Sequence, residues 1–131
     1  MLYREIVAVV ESPEFPANVR DWRLCDSTGW SIAHEAARRG KLPAGFDQWE
    51  IAEKITGASV SHIAARYGGL PDDFRKWCIV DKNGWTVAHE SVRNRHLPKG
   101  FDQWYVCDKN GRTVAREAFA NCILPIGIDV R

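Results

Sequence analysis

The sequence lacks the features that mark several large protein classes. No stretch approaches the roughly 18 consecutive apolar residues that a membrane-spanning helix needs. The opening MLYREIVAVVES has only a short apolar stretch, interrupted by charge and without a small-residue cleavage site, so it is not typical of a signal peptide. A formal net charge of +1 excludes a strongly polybasic or polyacidic chain. We therefore expect a cytoplasmic protein that does not associate with a membrane.

Catalytic motifs are also lacking. The sequence contains no nucleophile elbow, P-loop, dinucleotide-binding fingerprint or H-E-x-x-H zinc helix. The dipeptides His34-Glu35 and His89-Glu90 stand alone, without the second histidine of a zinc helix. Because no acid, base and nucleophile converge in any motif, we expect a protein that is not an enzyme, with no catalytic residues, no metal, no cofactor and no small-molecule substrate.

The sequence does contain an internal repeat. Trp22, Trp49, Trp77 and Trp104 are separated by 27, 28 and 27 residues, and each begins a similar segment. A fixed period of this length is typical of stacked supersecondary units, in which each unit buries the apolar face of its neighbour. We predict a single domain over 1–131, with an N-terminal half-repeat cap at 1–21 and repeats at 22–48, 49–76, 77–103 and 104–131.

Each repeat has the same predicted elements. A glycine turn, such as D-S-T-G at 26–29, precedes a helix that starts at Ser31, Ser59, Thr86 or Thr113. The second repeat has E-K-I-T-G at 53–57, which is one residue longer. The following L-P-x-x-F-x-x-W pattern predicts a short second helix. The predicted fold class is all-α, a solenoid of helix-turn-helix repeats. At the end of the chain, Ile126 and Val130 replace polar residues, so we expect apolar exposure or a self-contact there.

The four cysteines indicate a structural role. No C-x-x-C pair occurs, so a zinc site lacks its usual spacing. Cys25 and Cys107 share one repeat position with Ala52 and Val80. A position that accepts cysteine, alanine and valine is predicted to be small, apolar and buried, with the thiols reduced.

The motif D-x-x-G-x-[ST]-x-A-H-x-A-A-x-x-G resembles the ankyrin repeat, whose pattern is a turn, T-P-L-H-x-A and two antiparallel helices. These repeats are shorter than the 33 residues of that family. They lack its proline and carry Arg116 in place of histidine in the fourth copy. Another helix-pair solenoid is the alternative.

The recurring His34, His62 and His89 are candidates for metal ligands or for structural groups. Packed helices lie about 8–10 Å apart, so equivalent histidines of successive repeats cannot share one metal. The resemblance to ankyrin repeats implies that each imidazole bonds the serine or threonine three residues earlier and the neighbouring turn.

The resemblance also implies which side chains form a concave binding face. The matching positions lie beside the turn glycine and directly after the paired small residues. We call the following residues the candidate face: Trp30, Arg38, Arg39, Arg66, Tyr67, Lys82, Trp85, Arg93, Asn94, Lys109 and Arg112. This set contains no carboxylate, whereas five aspartates, Asp47, Asp72, Asp73, Asp102 and Asp129, fall in the second halves of the repeats. The pattern predicts a basic, aromatic groove and an acidic back.

Three functions are compatible with such a face. Arginine, tryptophan and tyrosine are enriched at binding hot spots, which favours a protein partner with an acidic surface and a role as a small inhibitor or adaptor. Nucleic acid is the alternative, with cations on phosphates and Trp30, Tyr67 or Trp85 stacked on bases. A structural or self-assembling unit is the third possibility. Arginines at helix C-termini also have a simpler explanation, because they interact favourably with the helix dipole.

Overall fold

The computed structural model describes residues 1–123, in which five short helices follow one another along the chain. They are α1 (Tyr3–Glu11), α2 (Ile32–Arg38), α3 (Val60–Tyr67), α4 (Val87–Arg93) and α5 (Val114–Ala120). Each helix packs on the next one in sequence. Over residues 1–123 there is no β-strand, only isolated bridges, so the described chain is all-α as predicted. None of these helices has the length and apolar character needed to cross a bilayer.

The helices begin where the hydroxyl residues predict. Ser31, in an extended conformation, accepts a hydrogen bond from the backbone N–H of His34 at 3.1 Å, and Ser59, Thr86 and Thr113 cap α3, α4 and α5 in the same way. Helices of only seven or eight residues are too short to be stable alone. Small buried side chains such as Ala33, Ala64 and Ala88 let neighbouring helices approach closely. Packing therefore stabilises each helix.

The turns before the helices are held by a carboxylate and stacked on one another. Asp26 Oδ1 accepts from the backbone N–H groups of Thr28 and Trp30 at 2.8 and 3.1 Å. In the longer turn of the second repeat, Glu53 Oε1 accepts from the N–H groups of Thr56 and Ala58 at 2.6 and 3.1 Å. The additional methylene of glutamate thus spans the additional residue of that turn.

Successive turns contact each other through the backbone. The N–H of Lys54 donates to the carbonyl of Thr28 at 2.8 Å, and the N–H of Lys82 donates to that of Thr56 at 2.9 Å. Gly57 has a positive φ of 75°, and a Cβ there would lie 2.9 Å from the nitrogen of Lys82. Glycine is needed at this position both for its backbone conformation and for the close approach.

The predicted burial of the cysteine position is wrong. Cys25 and Cys107 form isolated antiparallel bridges with Ser31 and Thr113. Cys25 is half-buried and Cys107 is exposed, as are Cys78 and Cys122, and all four thiols are free. Side chains alternate along extended backbone. The preceding positions, Ile51, Ile79 and Val106, pack on the core, and this position therefore faces outward.

The predicted second helices are absent from residues 1–123. The segment 42–49 and its equivalents form turns instead, in which Phe46, Phe74 and Phe101 donate from N–H to the carbonyl of the proline three residues earlier at 3.1–3.2 Å. Gly45 and Gly100 have φ of +81°. A left-handed residue in the middle of the segment is incompatible with a helix.

Phenylalanine and tryptophan rings form a continuous ladder through these turns. Ring contacts run alternately from Phe15 through Trp22, Phe46, Trp49, Phe74, Trp77, Phe101 and Trp104. Centroids are 4.9–5.8 Å apart and all pairs are edge-to-face, a favourable geometry for aromatic quadrupoles. The ladder connects the repeats on the side where the second helices were expected.

The N-terminal segment packs on α2 as a cap. The half-repeat contains one helix, α1, whose Ile6 and Val10 are buried against Ile32. Lys41 Nζ donates to the carbonyl of Val10 at 3.3 Å. Ile126 and Val130, where apolar exposure or a self-contact is expected, lie outside the described residues.

Candidate functional site

The three recurring histidines link successive repeats. In α3, His62 Nδ1 lies 2.8 Å from Ser59 Oγ and Nε2 lies 2.8 Å from the carbonyl of Trp85. His34 contacts Ser31 Oγ and the carbonyl of Ala58 at 2.7 and 3.0 Å. His89 contacts Thr86 Oγ1 and the carbonyl of Arg112 at 2.6 and 2.8 Å. The predicted bonds to the serine or threonine and to the neighbouring turn are confirmed.

The surroundings of these imidazoles favour the neutral form. A carbonyl oxygen can only accept, so Nε2 carries the hydrogen and Nδ1 accepts from the hydroxyl. Burial lowers the pKa of His34, His62 and His89 below the ordinary 6.5, although the carbonyl bond to Nε2 opposes that shift. The histidines are therefore neutral structural groups.

The candidate face is not free of carboxylates, contrary to the expectation from sequence. Glu35, Glu90 and Glu117 occupy one repeat position immediately beside it, and all three are buried. Arg38 and Arg39 lie three and four residues after Glu35, a spacing typical of exposed ion pairs on a helix, but the Glu35 side chain has 0% exposure. The face combines exposed or half-buried cations with buried acids, and the expected segregation of charge is only partial.

Glu35 is the most completely bonded of the three. Its Oε1 accepts from Tyr3 Oη and Trp30 Nε1, each at 3.0 Å. Its Oε2 accepts from Arg38 Nη2 at 2.6 Å and from Arg39 Nε at 2.5 Å. Burial acts to raise the pKa of Glu35, but the arginine, tryptophan and tyrosine bonds outweigh it and lower the pKa to about 2. This cluster joins α1 to α2.

The other two glutamates have fewer partners. Glu90 Oε2 accepts from Asn94 Nδ2 at 2.5 Å, and Arg66 Nε lies 3.7 Å from the same oxygen. Glu117 pairs with Arg112 at 3.2 Å and accepts from Asn121 Nδ2 at 2.8 Å. In α2, α4 and α5, the buried glutamate thus accepts a hydrogen bond from the side chain four residues later, which directly follows the helix.

The second repeat departs from this arrangement. Ala58, Ile63 and Tyr67 stand where the first repeat has Trp30, Glu35 and Arg39. Ala58 and Ile63 are buried, whereas Tyr67 is 51% exposed. Across residues 1–123, the Tyr67 hydroxyl makes no hydrogen bond. The second repeat therefore has apolar residues at the middle of the face, where the other three repeats have a buried glutamate bonded to polar side chains.

The two face tryptophans differ in their bonding. Both are half-buried and both lie on the histidine of their own repeat, with centroids 5.0 Å apart for Trp30–His34 and 4.9 Å for Trp85–His89. Trp30 Nε1 donates to Glu35, but Trp85 Nε1 is buried without a partner. The guanidinium of Arg93 lies over the Trp85 ring, 5.3 Å from its centroid. That cation–π contact is the one interaction of Arg93 that residues 1–123 provide.

The face lysines pack on turns. The side chain of Lys82 contacts the preceding turn at Gly57, and its Nζ donates to the carbonyl of Lys54. Lys109 packs on Gly84 in the equivalent way. Both residues remain exposed, so their ammonium groups add positive charge beside the turns.

The structure offers little for enclosed ligands at this face. Two open grooves of about 660 and 580 Å³ lie elsewhere, among residues such as Cys25, Gln48, Phe46 and Phe74, and no candidate-face residue lines either one. No group of three metal-ligating side chains converges in the described part of the chain. Of the acids assigned to the back, Asp47, Asp72, Asp73 and Asp102 are exposed, and Asp129 lies outside the described residues.

Sequence reasoning missed the buried glutamates and Tyr3. A signal was present, because glutamate follows the histidine or its replacement in three of the four repeats. Comparison with known proteins adds no further assignment: no protein-family model matches the chain, and no curated protein matches it significantly.

Proposed function

We propose that the chain is a non-enzymatic protein-binding module that holds an acidic partner surface against the candidate face. The observation that carries the proposal is the row of cations in the turns and at the C-terminal ends of adjacent helices. Seven cationic side chains of the face accompany three buried glutamates, so positive charge is in excess there. Exposed arginine together with tyrosine and tryptophan is the composition of binding hot spots.

The proposal includes an ankyrin-like solenoid, with another repeat solenoid as the alternative. Capping serines and threonines, histidine links between repeats and turns bonded to turns all support it. Each described repeat has one helix rather than two, so the second layer consists of the aromatic ladder. A repeat array presents an extended surface, which suits contact with another macromolecule.

A module of this kind acts by occupying a surface or by bridging two proteins. We therefore propose a role as a small inhibitor or adaptor, in the cytoplasmic location expected from the sequence. Small-molecule substrates, cofactors and membranes have no part in the proposal.

Nucleic acid is the second candidate, favoured by one specific observation. Tyr67 is exposed beside Arg66 in α3, which is an arrangement that can stack a base and contact a phosphate. Binding of this type releases counterions and weakens steeply as salt rises. Binding to a protein hot spot depends less on salt.

The test measures binding of the purified chain to a polyglutamate peptide and to a single-stranded oligonucleotide over a range of salt concentrations. The face variant carries Arg66→Gln, Arg93→Gln and Lys109→Gln. The control variant carries Arg20→Gln, Arg23→Gln and Arg75→Gln, which removes the same charge outside the face. Circular dichroism establishes that both variants fold.

We expect the peptide to bind the parent and the control variant, and the face variant to lose about tenfold or more in affinity. Equal losses in both variants would mean that net charge alone attracts the peptide. Preference for the oligonucleotide with a steep salt dependence would replace the protein partner by nucleic acid. Absence of binding to either probe would contradict the proposed function.

A further inference from the structure

Resting on this proposed function, we propose that the partner is received at the centre of the face by Arg66, Tyr67, Trp85 and Arg93. We call these four residues the central patch. Its ligand is an acidic protein segment in which a carboxylate stands next to an apolar side chain. Three independent observations distinguish the centre from the ends of the face.

The arginines at the ends are already bonded within the chain. Arg38 and Arg39 both donate to Glu35 at 2.5–2.6 Å, and Glu35 is fully buried. Arg112 lies 3.2 Å from Glu117. A partner carboxylate would have to compete with these preorganised acids. Release of a guanidinium from a buried carboxylate would leave that charge unpaired, which is unfavourable.

The arginines at the centre are available. Arg66 Nε is 3.7 Å from Glu90, beyond hydrogen-bond distance, and its side chain is 44% exposed. Arg93 is exposed and rests on the Trp85 ring without a carboxylate partner in residues 1–123. The two residues occupy equivalent positions in α3 and α4, which pack together. A planar guanidinium binds a carboxylate in a bidentate manner, so this pair complements negative charge.

The second repeat supplies the apolar part of the patch. Because Ile63 replaces the buried glutamate, Tyr67 has no acid to bond and presents half of its surface to solvent. Trp85 lies in the following repeat, with the His89 ring tilted at 45° to it and the Arg93 guanidinium over its ring. An exposed phenol ring and a half-buried indole on adjacent repeats provide contact area at low conformational cost. An apolar side chain of the partner gains burial here, next to the arginines that bind its carboxylate.

The experiment uses a short polyglutamate peptide with one central phenylalanine, and the same peptide with glycine at that position. Arginine Nε–Hε and tryptophan Nε1–H signals of the full chain are followed by NMR during titration. We expect saturable shifts at Arg66, Arg93 and Trp85 and little change at Arg38, Arg39 and Arg112. We expect the phenylalanine peptide to bind at least about threefold more tightly than the glycine peptide, since one aromatic side chain is partly buried.

Variants test the same division of the face. Arg66→Gln with Arg93→Gln should lower affinity for the phenylalanine peptide about tenfold or more, whereas Arg39→Gln with Arg112→Gln should lower it by a clearly smaller factor. Equal losses, or shifts that are largest at Arg39 or Arg112, would overturn the central patch and leave the proposed function intact. Equal affinity for the two peptides would refute the apolar contact. Saturable oligonucleotide binding at the same signals, without peptide binding, would assign the patch to nucleic acid. No shift anywhere on the face would contradict both proposals.

Discussion

His62 Nε2 donates to the backbone carbonyl of Trp85 at 2.8 Å, across 23 residues of sequence. The bond joins α3 to the turn that positions α4. Since the other ring nitrogen accepts from Ser59, one buried imidazole fixes a helix start and the next turn together. The same relationship recurs at His34 and His89.

Replacement of His62 by alanine should therefore destabilise the protein. His62→Ala leaves the carbonyl of Trp85 without its donor, and we expect the free energy of unfolding to fall by about 1–3 kcal/mol. Urea denaturation followed by circular dichroism measures this change. His96→Ala, at an exposed histidine outside the repeat position, is the control and should have little effect. Equal stability of the two variants would rule out the linking role.

Stability should fall as the pH is lowered through the histidine range. Burial lowers the folded-state pKa of His34, His62 and His89 below 6.5. Below about pH 6.5 the unfolded chain therefore binds protons that the folded chain does not, and stability that is fully present above that pH is progressively lost.

Denaturant unfolding between about pH 7.5 and about pH 5 tests this prediction before carboxylates such as Glu35 are protonated. Within the fold, Asp81 and Glu90 favour the charged form of His62, whereas Arg66 opposes it. His62→Ala should make the dependence shallower, because it removes one of the three buried imidazoles. A stability that is independent of pH across this interval would contradict the neutral, buried state of the three imidazoles.

Gly57 and Gly111 allow the effect of close packing between successive turns to be separated from the effect of backbone conformation. Gly57 and Gly111 have φ of +75° and +79°, but only at Gly57 would a Cβ meet a neighbouring backbone; at Gly111 nothing lies within 4 Å. Gly111→Ala should cost about 1–2 kcal/mol from the left-handed conformation alone. Gly57→Ala should cost about 1–3 kcal/mol more, because the Lys82–Thr56 bond must shift. Thermal unfolding measures both, and similar losses would show that turn stacking contributes little.

Glu35 should stabilise the contact between α1 and α2. In Glu35→Gln the charged bonds to Arg38 and Arg39 are lost, and we expect a cost of about 2–3 kcal/mol. Hydrogen exchange should accelerate in α1, since Tyr3 bonds to the same carboxylate. Glu50→Gln removes an exposed pair with Lys76 and should cost less than about 1 kcal/mol.

Because the pKa of Glu35 is lowered from 4.5 to about 2, its contribution to the free energy of unfolding is complete above about pH 4.5 and disappears as the pH falls towards 2.

Structural features that depend on residues close in sequence, such as the helix starts, could be predicted, because those residues recur from repeat to repeat. Ser31 and His34 lie three residues apart and bond each other, so their recurrence predicted the helix starts. The segment 42–49 was mispredicted because proline at the start and an aromatic pair three residues apart suit a helix equally well. Gly45 and Gly100 are left-handed and interrupt a helix in two of these segments, but the equivalent segment with Asp73 is a turn as well, so the pattern alone does not distinguish turn from helix.

Long-range partners explain the errors at the candidate face. Glu35 is buried because Tyr3, 32 residues earlier, covers it together with Trp30. Arg38 and Arg39 bond Glu35 from three and four residues later, as helix geometry favours, but that spacing does not specify that the carboxylate is buried. The sequence shows that Ile63 replaces the glutamate of the other repeats. The significance of this replacement depends on the burial of those glutamates, which the sequence does not reveal.

Glu53 illustrates how the array tolerates a change in its own period. The inserted residue enlarges the loop, and the longer acid reaches the same N–H groups that aspartate reaches in the shorter loops. The extra length is absorbed before α3 begins, so the Lys82–Thr56 bond matches the Lys54–Thr28 bond. A one-residue insertion accompanied by this change from aspartate to glutamate leaves the backbone bonds between successive turns unchanged. The length of these turns can therefore vary without altering the spacing at which successive turns and helices pack.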